Sequence, residues 1–234
     1  MNGEPSGRTA TKRTPAAFFD VDDTLSSTNV IRTYLDFWLQ GLPRRVRLFR
    51  LAWFLPKVPY YVLLDTISRA RFSQAFFKNY ARVERSGLDT WAESAVERYW
   101  RPRLFPQALE RLRRHREEGH RIVLVSGGVE SVLKPLARLL EVDVLVAAEL
   151  ETRDGHLTGR LLHGPMSAER KAEATRRVGA DLNLDLERSY AYSDSYSDRA
   201  FLESIGNPVA VNPDWRLRNL ARARGWPIEQ WRHC

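Results

Sequence analysis

Cysteine is nearly missing from this chain: of 234 residues only the last, Cys234, is one. A single thiol excludes a disulfide framework and a cysteine-ligated zinc site, and a reducing, cytoplasmic setting is the default expectation. Histidine is scarce as well. His115, His120, His156, His163 and His233 show no metal-ligand spacing along the sequence. Long apolar runs are also lacking. The nearest, LFRLAWFLPKVPYYVLL at residues 48–64, is interrupted by Arg50, Pro56, Lys57 and Pro59 and falls short of the about 20 mostly apolar residues of a bilayer span. The N-terminus, MNGEPSGRTATKRTP, has no apolar segment of the kind a secretory signal needs, and residues 1–15 read as a flexible basic arm. No internal repeat is found.

What the chain does have is apolar content and positive charge. At 43% hydrophobic residues it can bury a substantial core. The formal charge of +8 is unevenly spread: Val30 to Phe72 holds eight arginines and lysines against Asp36 and Asp65. Trp38, Trp53, Tyr60 and Tyr61 fall in the same stretch. A basic, aromatic region suits a phosphorylated substrate or peripheral contact with an anionic membrane, such as the inner membrane surface. The plainer alternative is that the aromatics are core and the arginines a solvated face. These arginines form no nucleic-acid-binding motif, so nucleic acid is not an expected partner.

Along the chain, AAFFD reads as a short buried strand. Residues 28–118 then read as almost wholly helical, with breaks expected at Gly41-Leu42-Pro43, Pro56, Pro59, Ser86-Gly87 and Arg101-Pro102. From residue 119 strands and helices alternate: RIVLVSGG and a helix near 129–141, VDVLVA, a hairpin about Asp154-Gly155, a helix at 168–179, SYAYS, a helix at 197–205, PVAVN, and a last helix from Asp214. Alternation of this kind predicts a doubly wound parallel α/β sheet. Residues 16–27 and 119–234 would form that core, and 28–118 an inserted helical cap with its linkers.

In such a sheet, ligands bind beyond the carboxyl ends of the strands. Asp20 and Asp22 end the first strand, Ser126 the second, and Asp194 and Asp198 follow SYAYS, while Lys171 lies near the start of a helix. Acids crowded at one edge need a positive partner, and a hard cation with oxygen ligands such as Mg²⁺ would supply it. Taken alone, Asp20-Val21-Asp22 equally fits a turn with a helix N-cap or the metal-nucleotide site of a glycosyltransferase. An EF-hand loop fails because Leu25 stands where glycine is needed.

Taken in order, FFDVDDTL, VLVSGG, Lys171 and YSDSYSD resemble the haloacid dehalogenase superfamily, and the helical insertion after the first motif resembles its phosphoserine-phosphatase-like branch, subfamily IB. The resemblance implies a Mg²⁺-dependent phosphomonoesterase working through an aspartyl-phosphate. It makes Asp20 the nucleophile and Asp22 the acid and base. Asp20, Asp22 through its main-chain carbonyl, and Asp194 become the metal ligands. Ser126, the amides of Gly127 and Gly128, and Lys171 become the phosphate site, with Asp198 and Thr24 in support. Two departures stand out. Ser193 replaces the glycine common before the motif's aspartate, and Asn29 stands where phosphoserine phosphatases usually carry a glutamate that reads the substrate's amino group. A small or lipid-like phosphate, including lysophospholipid types, is therefore expected rather than phosphoserine. A catalytically weak membrane-surface or interaction module is the alternative expectation.

Overall fold

The computed structural model describes residues 13–233, so Cys234 and most of the N-terminal arm lie outside the described residues. Among the described residues there are eight strands: β1 (Ala16–Phe19), β2 (Arg121–Val129), β3 (Val144–Ala148), β4 (Leu150–Arg153), β5 (His156–Leu161), β6 (Tyr190–Ser193), β7 (Asn207–Val211) and β8 (Ile228–Glu229). Six of them make one parallel sheet in the order β3-β2-β1-β6-β7-β8. β4 and β5 form a separate antiparallel hairpin.

β1 shows why the sheet must be covered on both sides. Successive side chains point to opposite faces, and all four of its residues are buried. Ala17 and Phe19 enter one apolar cluster with Leu112 of α6 (Pro106–Glu117) and Leu136 of α7 (Glu130–Leu139). Ala16 and Phe18 enter the other, with Val178 of α8 (Ala168–Asp181), Phe201 of α9 (Arg199–Glu203) and Leu217 of α10 (Trp215–Arg224). The chain winds outward from β1 to β3 on one side and from β6 to β8 on the other. That reversal opens a crevice between the carboxyl ends of β1 and β6.

Six α-helices and several short turns intervene between β1 and β2; ahead of α6 lie α1 (Val30–Leu39), α2 (Arg44–Phe54), α3 (Val58–Ile67), α4 (Arg69–Phe77) and α5 (Arg85–Ala95). Their ends follow local chemistry. Asn29 caps α1 by accepting from the Arg32 N–H at 3.1 Å. Pro56 lies in a 3₁₀ turn and Pro59 in the first turn of α3, where a missing N–H costs nothing. Ser86 and Gly87 do not break a helix, contrary to the expectation from their composition; they sit in the first turn of α5. The chain turns earlier, at Arg82, whose φ of 65° sends its N–H to the Leu157 carbonyl at 2.8 Å. The β4–β5 hairpin docks there, with Gly159 so close to Lys78 that a Cβ would stand 3.0 Å from the Lys78 Cα.

The linkers in and out of the insertion run side by side. Ser27 N–H donates to the Arg103 carbonyl at 2.8 Å and Phe105 N–H to that of Leu25 at 3.0 Å. An aromatic core fills the insertion: Phe76 is fully buried, with the rings of Tyr34, Phe72 and Tyr61 at 5.5–5.7 Å. β8 and the pairing of Thr14 with Leu184 and Asp185 were not foreseen from the sequence.

Candidate active site

The site is assembled from loops at one edge of the sheet. Asp20 N–H donates to the Tyr192 carbonyl at 3.0 Å, so the ladder between β1 and β6 continues to the nucleophile candidate and fixes it at the mouth. Beyond it the chain folds back: Leu25 and Ser26 N–H both reach the Val21 carbonyl, and Asp23 takes a left-handed φ of 52°. This tight turn returns Asp22 over the crevice. Thr24, fully buried beneath it, donates its hydroxyl to Asp194 Oδ1 at 3.2 Å.

Lys171, in the first turn of α8, crosses the crevice from the other side. Its Nζ donates to Asp20 Oδ1 at 2.6 Å and to Asp198 Oδ2 at 2.8 Å, and all three side chains are buried. Asp198 also accepts from the Ser193 hydroxyl at 2.7 Å. The serine that replaces glycine before Asp194 thus completes the hydrogen bonding of the lysine's second partner. Removing the shared cation of such a buried ionic group would leave two uncompensated carboxylates.

Asp20, Asp22, Gly127, Lys171, Asp194 and Asp198 line one cavity of about 330 Å³. Asn29 lines it too, but its side-chain oxygen is occupied in capping α1. Ser126 is not among the lining residues. It is buried, and its Oγ accepts from Gly128 N–H at 3.0 Å, holding the bulge through which β2 passes into α7. The far wall was missed by sequence reasoning. The cap supplies Tyr61, Val62, Asp65, Arg69 and Phe72, and Asp214 reaches the rim from the N-terminus of α10. Arg69 was visible only as one of eight cations; its position over the mouth comes from the packing of α4.

Burial and mutual repulsion set the protonation of these acids. Burial, reinforced by Asp20, pushes Asp22 up to about 8. Asp20 rises to about 6, burial outweighing the opposing pull of Lys171. Asp194 is raised well above the usual carboxylate range by burial and then by Asp20 and Asp198. Lys171 stays protonated: burial works against its charge, but Asp198 and Asp20 outweigh it. Arg69 is likewise held charged by Asp65, Asp22 and Asp198 against the cost of burial. Several oxygen donors with unfavourable negative charge at one mouth are the donor set a hard divalent cation takes.

The histidines differ from the sequence expectation. His115, Glu118 and His120 bring their ligand atoms within 4.8 Å of one another, because Gly119, at φ 76°, turns His120 back toward the end of α6. The two Nδ1 atoms share a 2.8 Å hydrogen bond and His115 Nε2 meets the Tyr192 hydroxyl at 2.8 Å, so direct hydrogen bonding already accounts for the pair.

With this geometry in view, residues 17–203 match the haloacid dehalogenase-like hydrolase family. The chain is 34% identical over 227 residues to an "inhibition of morphological differentiation protein" of Streptomyces azureus, covering 91% of this chain and 77% of that one. A phosphoserine phosphatase of Mycobacterium tuberculosis is 31% identical over 228 residues, 94% of this chain and 71% of its own. A solved structure from Bordetella pertussis, described as a protein with unknown function, superposes with a TM-score of 0.77 at 29% identity and covers 93% of this chain and 99% of that one.

Proposed function

The chain belongs to the haloacid dehalogenase-like hydrolases and is a phosphatase of that family, and we propose that it hydrolyses a phosphate monoester through an aspartyl-phosphate on Asp20. The observation that carries this reading is Lys171 bridging Asp20 and Asp198 in the cavity that Asp22 and Asp194 share. Lys171 holds one oxygen of Asp20, leaving Oδ2 to attack phosphorus. As the Asp20–phosphorus bond forms, the bond from phosphorus to the ester oxygen breaks. Asp22, protonated at neutral pH, gives its proton to that oxygen. The resulting Asp22 carboxylate then takes a proton from water, whose oxygen attacks phosphorus. The Asp20–phosphorus bond breaks and the carboxylate is restored. Lys171 and the Gly127 amide offer donors to the phosphoryl oxygens where charge concentrates in the transition state.

Mg²⁺ is the cofactor this donor set fits. Asp20, the Asp22 main-chain carbonyl and Asp194 would hold it, and bound there it would neutralise charge between the ester and the nucleophile. The leaving group would face the cap, whose wall at this point is Tyr61, Val62, Phe72 and Arg69. Asp65 in that wall is paired with Arg69 at 3.0 Å, and Asn29 brings no charge, which supports an apolar or anionic leaving group over the amino acid of phosphoserine. Phosphate release from glycerol phosphates, sugar phosphates, phosphoserine and lysophosphatidate, with and without Mg²⁺, tests the reading. Turnover that needs Mg²⁺ and vanishes in Asp20→Asn is expected; turnover retained by Asp20→Asn would contradict it.

A further inference from the structure

Among the described residues, nine of the thirteen exposed large hydrophobics fall between Val46 and Ile67. On α2, Val46, Phe49 and Trp53 recur at the spacing of one helix face; on α3, Tyr60, Leu63 and Ile67 do the same. Phe49 is 74% exposed and Leu63 57%. A helix apolar on nearly every side, as α3 is, ordinarily lies buried, yet here Tyr61 is its one buried residue. Soluble chains seldom leave so large an apolar surface without an occupant.

Charge decides which occupant fits. Residues 44–67 carry Arg44, Arg45, Arg47, Arg50 and Lys57 against one acid, Asp65, and Arg69 already pairs with that acid. Arg44, Arg45 and Arg47 are exposed beside the apolar face. Lys57 lies with its Nζ 3.3 Å from the centre of the Trp53 ring, and Arg50 lies over Trp38. Aromatic and aliphatic side chains edged by cations, with no free acid, complement an anionic phospholipid surface better than a mixed-charge protein surface.

The same helix also reaches the catalytic cavity. Tyr61, Val62 and Asp65 of α3 line it while Tyr60, Leu63 and Ile67 face outward, and Val62 is both half-exposed and part of the wall. We propose that α2 and α3 dock this protein on anionic membrane, and that its substrate is a phosphate monoester borne on an acyl chain. The phosphate would enter to Asp20 while the chain leaves past Val62 along α3. The substrate half of this inference rests on the phosphatase reading; the docking half does not.

The test uses the full chain, the double variant Phe49→Glu/Leu63→Glu, whose sites are exposed and outside the cavity, and Asp20→Asn. Sedimentation with phosphatidylcholine vesicles, with and without phosphatidylserine, measures docking. An aryl phosphate in solution and lysophosphatidate in the vesicles measure turnover. Wild type and Asp20→Asn are expected to sediment with anionic vesicles and to be released by salt. The double variant should bind at least ~tenfold more weakly, with the soluble ester's rate unchanged and the lipid's rate lost in proportion. Wild type left in the supernatant would overturn docking, as would binding indifferent to the substitutions. A dimer in light scattering that the substitutions dissolve would assign the face to a second copy and overturn it too. If docking holds but the double variant loses the soluble and lipid rates alike, the lipid substrate is overturned. A wild type that cleaves neither ester fails the phosphatase reading, while sedimentation still decides docking.

Discussion

At the mouth of the sheet, Asp20, Lys171 and Asp198 are charges removed from water and held by one another. On the outer cap, Phe49, Trp53 and Leu63 are hydrocarbon left in water. Each arrangement costs free energy in the isolated fold, and each makes sense through what it meets. In the proposed mechanism the buried ions would preorganise the nucleophile and the phosphate site. The exposed hydrocarbon is cancelled only when something covers it. Between the two lies an ordinary aromatic core around Phe76, which shows that the cap can bury rings where it needs to.

The sharpest contrast is in activity. Asp20→Asn should lower phosphate release by roughly 10³-fold or more without loss of thermal stability, since the amide removes a raised carboxylate. Steady-state turnover and thermal melting on one preparation check both. Lys171→Met should damage activity and fold together, costing roughly 3–5 kcal/mol because Asp20 and Asp198 lose their shared cation; urea denaturation reads that loss.

Asp22 gives a pH test of the mouth. Its carboxyl titrates from an ordinary 3.8 to about 8 in the fold. The folded value is the higher, so this stability is fully present below about pH 4 and is lost as pH rises through 8. In chelator-treated protein, Asp22→Asn should match wild type at pH 4. By pH 9 it should be more stable by roughly 2–4 kcal/mol, allowing for solvent at the open mouth. Equal stabilities at both pH values would break the assignment of a raised, buried carboxyl.

Within the cap, two phenylalanines separate core from surface. Phe76→Ala should cost roughly 3–5 kcal/mol, whereas Phe49→Ser should stay within roughly 0.5 kcal/mol, because Phe76 is fully buried and Phe49 is 74% exposed. Similar losses at the two positions would mean that α2 packs against something in the free protein.

The core was legible because its signals are local. FFDVDD and VLVSGG are short apolar runs ending in chemistry-bearing residues, and the sheet brings Asp20 and Asp194 together as an alternating pattern requires. Ser126 was expected to end its strand, but β2 runs on to Val129, and the bulge between Val125 and Val129 sets the orientation of its side chain. Arg69 was illegible because no local pattern distinguishes it from seven other cations. β8 has two residues, too few for any periodicity. Gly87 misled because tertiary docking of the hairpin at Arg82 outweighs helix propensity at that point. The aromatics of the cap divided: Tyr61 and Phe54 are core as the plainer reading had it, while Trp53 and Tyr60 are not.

The most direct measurement is mass spectrometry of Asp22→Asn quenched during turnover of an aryl phosphate, whose leaving group needs no proton. Loss of the base that activates water should let the covalent species accumulate. One phosphoryl group is expected on the peptide carrying Asp20, removable by hydroxylamine and missing from Asp20→Asn. Aryl phosphate cleavage with that peptide unmodified at every quench time would contradict the aspartyl-phosphate and, with it, the role assigned to the buried lysine and acids at the mouth.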